Sequence, residues 1–191
     1  MSLARPRLSW ARASRGRASA RGAPQRALLL ALALGALACG PREAAPIEAG
    51  RPAPDFALPR VGGGEISLRE LRGKVVLVNF WATWCAPCEQ EMPAMQRLYE
   101  RLAPRGFELV AISQDDGAEV VEQFRARLAL GFPIAMDSDH EAAREYQSFR
   151  YPESFLIDRE GVLVARYIGE RVWDAPEYVA RIERLLASAP N

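Results

Sequence analysis

The nineteen residues from Val75 to Pro93, V-V-L-V-N-F-W-A-T-W-C-A-P-C-E-Q-E-M-P, constrain the fold more than any other part of the chain. Val75–Phe80 is an apolar run rich in β-branched side chains, the pattern of a strand covered on both faces. Residues 86–103 then read as a helix, because Met92, Met95, Leu98, Tyr99 and Leu102 recur at spacings of three and four. Pro93 lies inside that period and is expected to kink the helix. Cys85 and Cys88 therefore stand where a buried strand hands over to a helix.

That position suits thiol chemistry. The free N–H groups and dipole at a helix start favour a thiolate, lowering a thiol pKa from about 8.5 toward about 7 or below. Cys88 lies one turn on and shares a helix face with Cys85, so it can resolve a mixed disulfide. Pro87 between them removes an N–H where a helix start does not need one. A zinc site would want four ligands, and near these two cysteines the chain offers only His140. A structural staple is the other alternative, but three residues make an inefficient loop. No metal and no cofactor are expected.

The front of the chain is of another kind. Residues 1–26 carry seven arginines and no acid, and residues 27–38 are uniformly apolar. Twelve apolar residues fall short of the roughly 20 that span a membrane, so residues 1–38 read as a secretory signal peptide. From Cys39 onward 18 basic face 24 acidic residues, a net charge of −6. Such a balance argues against nucleic acid as a partner. Cys39 in L-G-A-L-A-C-G resembles a bacterial lipobox, with Ala36 standing where a leucine is usual. Lipidation of Cys39 is the expectation, and it would remove an unpaired thiol from an oxidising compartment. Ordinary cleavage and an uncleaved anchor are the alternatives. Residues 39–54, rich in Pro, Ala and Gly, read as a flexible tether.

A folded domain is expected over 55–188. It opens with a β-hairpin, D-F-A-L-P and E-I-S-L around V-G-G-G, followed by a short turn capped by Ser67. Phe107–Ser113 reads as a second buried strand. Residues 118–128 read as a helix with Val120, Val121, Phe124 and Leu128 inward. F-P-I-A-M is a short extended piece, and a short helix covers about 141–147. S-F-L-I-D and V-L-V-A-R-Y-I form an antiparallel pair across R-E-G. A last helix over 176–188 begins at Pro176 and turns Tyr178, Val179, Ile182, Leu185 and Leu186 inward. Strands alternating with helices, then an antiparallel pair, give an α/β fold with a mixed sheet.

On F-W-A-T-W-C-A-P-C-E-Q-E-M-P, A-P-D-F-A-L-P and Y-P-E-S-F-L-I-D-R-E-G, the chain resembles the thioredoxin superfamily. Within it, about residues 50–188 are similar to the TlpA/ResA-like extracytoplasmic thiol–disulfide oxidoreductases of the redoxin, AhpC/TSA-like type. The resemblance implies a thioredoxin-like fold with an N-terminal β-hairpin and a short helix and strand inserted before a cis-proline at Pro152. It implies Cys85 and Cys88 as the redox pair and Glu91 as an acid that tunes them and moves protons. Trp81, Trp84, Pro87, Tyr151 and Pro152 would flank a substrate. Asn79 stands where thioredoxin has a buried aspartate, which leaves Glu91 as the proton handler. Trp173, Asp115 and Asp116 carry only surface or packing readings, and His140 is expected to be exposed.

The implied activity is that of a membrane-tethered periplasmic or extracytoplasmic dithiol reductant acting on exported proteins, apocytochrome c among them. A membrane thiol donor of the CcdA/DsbD type would supply its electrons. Two alternatives share the fold. A peroxiredoxin-like enzyme would need a threonine where Ala82 stands, and a copper-binding assembly factor would use a wider cysteine spacing and a distant histidine.

Overall fold

The computed structural model describes residues 47–188; the leader, Cys39 and the first half of the expected tether lie outside them. The order of elements is β1 (Ala57–Pro59), β2 (Glu65–Ser67), β3 (Val75–Trp81), α1 (Ala86–Leu102), β4 (Phe107–Ser113), α2 (Ala118–Arg127), β5 (Ile134–Met136), α3 (Glu141–Glu145), β6 (Glu153–Ile157), β7 (Leu163–Ile168) and α4 (Pro176–Ala187). Five strands form one sheet in the order β5-β4-β3-β6-β7. β3, β4 and β5 are parallel, while β6 runs antiparallel to β3 and β7 antiparallel to β6. The mixed sheet and its closing antiparallel pair follow the expected pattern.

β3 is buried along its whole length, so both of its faces carry core. Side chains alternate across a strand. Val75, Leu77 and Trp81 therefore join Met92, Met95, Leu98 and Leu102 of α1 and Val179, Ile182 and Leu186 of α4. Val76, Val78 and Phe80 turn the other way, toward Phe56, Tyr146 and Phe155. Phe80, Tyr146 and Phe155 pack edge to face or tilted, with centroids 5.0–5.8 Å apart. Position 79 shares the parity of Val75, Leu77 and Trp81, which aims its amide at the α1 side.

α1 runs on through Pro93 to Leu102, and the proline is exposed, so the hydrogen bond it cannot make lies on the solvent side. Two local expectations change. Val120 is 44% exposed because Val121 and Phe124 take the inward stripe of α2. The folded part also begins before Asp55. Gly50 N–H donates to the Leu163 carbonyl at 2.8 Å, Ala53 N–H to Gly161 at 3.0 Å, and Leu163 N–H to Arg51 at 2.9 Å. A Pro/Gly-rich composition cannot form a core alone, but here it borrows the open edge of β7.

The β1–β2 hairpin turns through Gly62, Gly63 and Gly64, all at positive φ, where a side chain would be strained. It docks beside β5 through Val61 N–H to the Ile134 carbonyl at 2.9 Å. β5 and α3 form the insertion before Pro152, and the Tyr151–Pro152 bond is cis. No helix of the described residues is long and apolar enough to cross a membrane.

Candidate active site

β3 ends at Trp81, and residues 82–84 form the loop that carries the chain to α1. One buried carboxylate pins this loop. Asp115 accepts the Thr83 N–H at 3.0 Å, the Thr83 hydroxyl at 2.6 Å and the Ser113 hydroxyl at 2.8 Å. The Cys85 N–H closes the turn onto the Ala82 carbonyl at 3.2 Å.

Cys85 is the N-cap of α1, with extended backbone dihedrals, and its sulfur accepts the Cys88 N–H at 3.3 Å. The cap position directs unpaired helix N–H groups at the sulfur, where negative charge would gather on reduction. Pro87 occupies the first turn as expected. Cys85 and Cys88 are joined in a disulfide. Cys85 is 7% exposed and Cys88 not at all, so the outer sulfur is that of Cys85.

Glu91, one turn beyond Cys88, is buried rather than solvent-facing, at 2% exposure. Asn79 Nδ2 donates to its Oε1 at 2.8 Å and to Ser154 Oγ at 2.9 Å. Its Oε2 accepts the Arg171 main-chain N–H and the Trp173 indole N–H, each at 3.0 Å. Burial raises the carboxyl above its ordinary range. The donors from Arg171, Trp173 and Asn79 oppose this, and the balance stands at about 7. Glu91 thus titrates near neutral pH, one turn along α1 from Cys88.

The cis-proline loop closes the other side. Pro152 is buried and its carbonyl accepts the Gly169 N–H at 2.9 Å. Trp84 and Tyr151 bring the two loops together, with ring centroids 6.1 Å apart. Tyr151 Oη donates to Gln114 Oε1 at 3.3 Å, and Gln114 Oε1 also lies 2.8 Å from His140 Nδ1. His140 is exposed as expected, yet tied to this buried glutamine.

Trp84 stands 69% exposed and Phe149 72%, so both offer apolar surface. Trp81, expected to flank a substrate, instead lies fully buried, with Phe124 at 4.8 Å between ring centroids. Its place on the inward parity of β3 makes it core. Trp173 and Asp115 are neither surface nor simple packing, since each binds a group next to the cysteines. Sequence reading also misses Arg171 and Ser154. No local pattern marks these residues, because Trp173 lies 82 positions from Glu91 and Asp115 lies 32 from Thr83.

The AhpC/TSA family profile matches residues 49–166. The thiol–disulfide oxidoreductase ResA of Bacillus anthracis is 38% identical over 137 residues, covering 71% of this chain and 79% of that protein. Among solved structures, a thiol:disulfide interchange protein DsbE from Chlorobium tepidum superposes with a TM-score of 0.70. It is 34% identical and covers 74% of this chain and all of its own. A thioredoxin-family thiol:disulfide interchange protein from Chlorobium tepidum TLS gives 0.64 at 29% identity, over 75% of this chain and all of its own.

Proposed function

This chain belongs to the AhpC/TSA family, among its TlpA/ResA-like thiol–disulfide oxidoreductases, and we propose that it is a dithiol reductant of exported proteins, held at a membrane outside the cytoplasm. It is an enzyme that exchanges thiols and disulfides, and its fold is thioredoxin-like. The observation that carries the finer reading is the Cys85–Cys88 pair at the start of α1, with the Cys88 N–H aimed at the Cys85 sulfur and Glu91 a turn away.

In the reduced form Cys85 is the nucleophile. Its thiolate attacks one sulfur of a substrate disulfide, forming a Cys85–substrate bond while the other substrate sulfur leaves as thiolate. Cys88 then gives its proton to the Glu91 carboxylate and attacks the Cys85 sulfur. The mixed disulfide breaks, the second substrate thiolate departs, and the two electrons of the dithiol have passed to the substrate. The Cys85–Cys88 disulfide is returned to the dithiol by a donor, which we place in the membrane as a carrier of the CcdA/DsbD type. Trp84, Pro87, Tyr151 and Pro152 line the approach. Exposed Trp84 and Phe149 favour a protein chain over a small thiol, because such apolar surface rewards contact with unfolded segments. Apocytochrome c is the substrate class we favour, and Cys39 carries the lipid that holds the protein at the membrane.

The test is a pair of single replacements. Cys85→Ser is expected to abolish reduction of a protein disulfide, and Cys88→Ser to accumulate mixed disulfides that identify the substrate. Full activity in both would overturn the mechanism. A reduction potential near thioredoxin's, about −270 mV, would support a reductant, whereas one near about −120 mV would make the protein an oxidant.

A further inference from the structure

Glu91 belongs to α1, but two of the three donors to its carboxyl come from the segment between β7 and α4. That segment is braced from within. The Arg171 guanidinium folds back onto the carbonyls of Ile168, Gly169 and Glu170, and Ala175 N–H donates to the Val172 carbonyl at 2.9 Å. Trp173 sits inside the brace at 1% exposure. Tyr167 meets its ring edge to face at 5.2 Å, and Tyr178 leans on it at 5.1 Å. The indole is thus held by two rings while its one polar atom faces Glu91.

Trp81 offers a contrast within the same core. Its indole nitrogen is buried with no hydrogen-bond partner, so this fold keeps a tryptophan for packing alone. Trp173 differs, because its N–H meets a group that changes charge. An indole nitrogen only donates, so it favours the carboxylate over the neutral acid.

We propose that Trp173 is a positioning residue of the redox site, whose indole N–H aims the Glu91 carboxylate and holds it ready as the proton acceptor for Cys88. The proposal rests on the reading of Glu91 as proton handler. The other charged or titratable groups around this contact are Arg171, the phenols of Tyr167 and Tyr178 against the indole, and Arg181 over the Tyr167 ring. Trp173→Phe leaves each of them in the sequence, keeps an aromatic ring between the tyrosines and removes the donor together with part of the indole's volume.

The experiment uses the full-length protein in its disulfide form, where neither cysteine titrates. Carboxyl-labelled glutamate is followed by NMR across pH 4–10, with Glu91→Gln assigning the signal. Trp173→Phe is expected to raise the Glu91 midpoint by about one pH unit, the effect of losing one charge-assisted hydrogen bond. At pH 7 the ionised fraction would then fall about five-fold. In the unaltered protein, the Trp173 indole N–H resonance is expected to titrate at the same midpoint as Glu91. An unmoved midpoint in folded Trp173→Phe, or a flat indole resonance, overturns the proposal. If the variant does not fold, the indole titration alone decides. Failure of the underlying reading is a separate result: Glu91→Gln would then leave the pH profile of turnover unchanged, with the indole titration of the unaltered protein still present.

Discussion

Asn79 is neutral, and a neutral amide can serve Glu91 in either protonation state. Its Nδ2 donates to the carboxylate, while its Oδ1 is buried without a partner and faces a donor once the amide turns over. This has a consequence for stability. In the unfolded chain Glu91 ionises near its ordinary 4.5, but in the fold it stays protonated to about 7. Below about pH 4.5 both states carry the proton and nothing is lost. Between about pH 4.5 and 7 the unfolded chain gives up this proton while the fold keeps it, so stability falls by about 3 kcal/mol, and it levels once the folded carboxyl ionises above about 7. Glu91→Gln is expected to remove that decline, which denaturant titrations of the oxidised protein at pH 4 and pH 8 would measure. Strand parity makes the Asn79 side legible in the sequence, and the three-residue step from Cys88 does the same for Glu91. Trp173 and Arg171 are not legible, since only the folded return of the chain from β7 to α4 brings them near.

The handover from β3 to α1 depends on a neighbour, because residues 82–84 cannot hold a single path alone. Asp115, just beyond β4, supplies the acceptors. Asp115→Ala leaves the Thr83 N–H and hydroxyl and the Ser113 hydroxyl without their partner. A loss of about 2–3 kcal/mol in unfolding free energy is expected, readable as a lower denaturant midpoint in the oxidised protein. Helix and strand periods announce β3, α1, β4 and α4 well, since their apolar residues face one continuous core. They misplace Val120, because Val121 beside it offers an equally apolar side chain and only one of the two can face inward. They also place the domain start too late, because pairing with an open sheet edge needs backbone groups and leaves no side-chain period.

Taken whole, the chain is a thioredoxin-like redox domain, to which the proposal adds an export leader and a lipid on Cys39. Cys39→Ala is expected to move the protein from the membrane fraction to the soluble extracytoplasmic fraction while leaving disulfide reduction by the purified protein unchanged. Retention in the membrane would show that something other than a lipid on Cys39 holds it. The edge contact at Gly50–Ala53 adds a directional constraint. Those residues meet Gly161–Leu163, at the end of the sheet where Ile157 pairs with Val76, whereas Trp81 and the cysteines stand at the other end. The chain therefore enters the domain at the pole opposite its reactive sulfur. The eight residues from Cys39 to Pro46 reach at most about 28 Å. On the proposed lipid attachment at Cys39, the mooring would join the domain at the end of the sheet opposite the reactive sulfur, which leaves the disulfide end free to meet cargo.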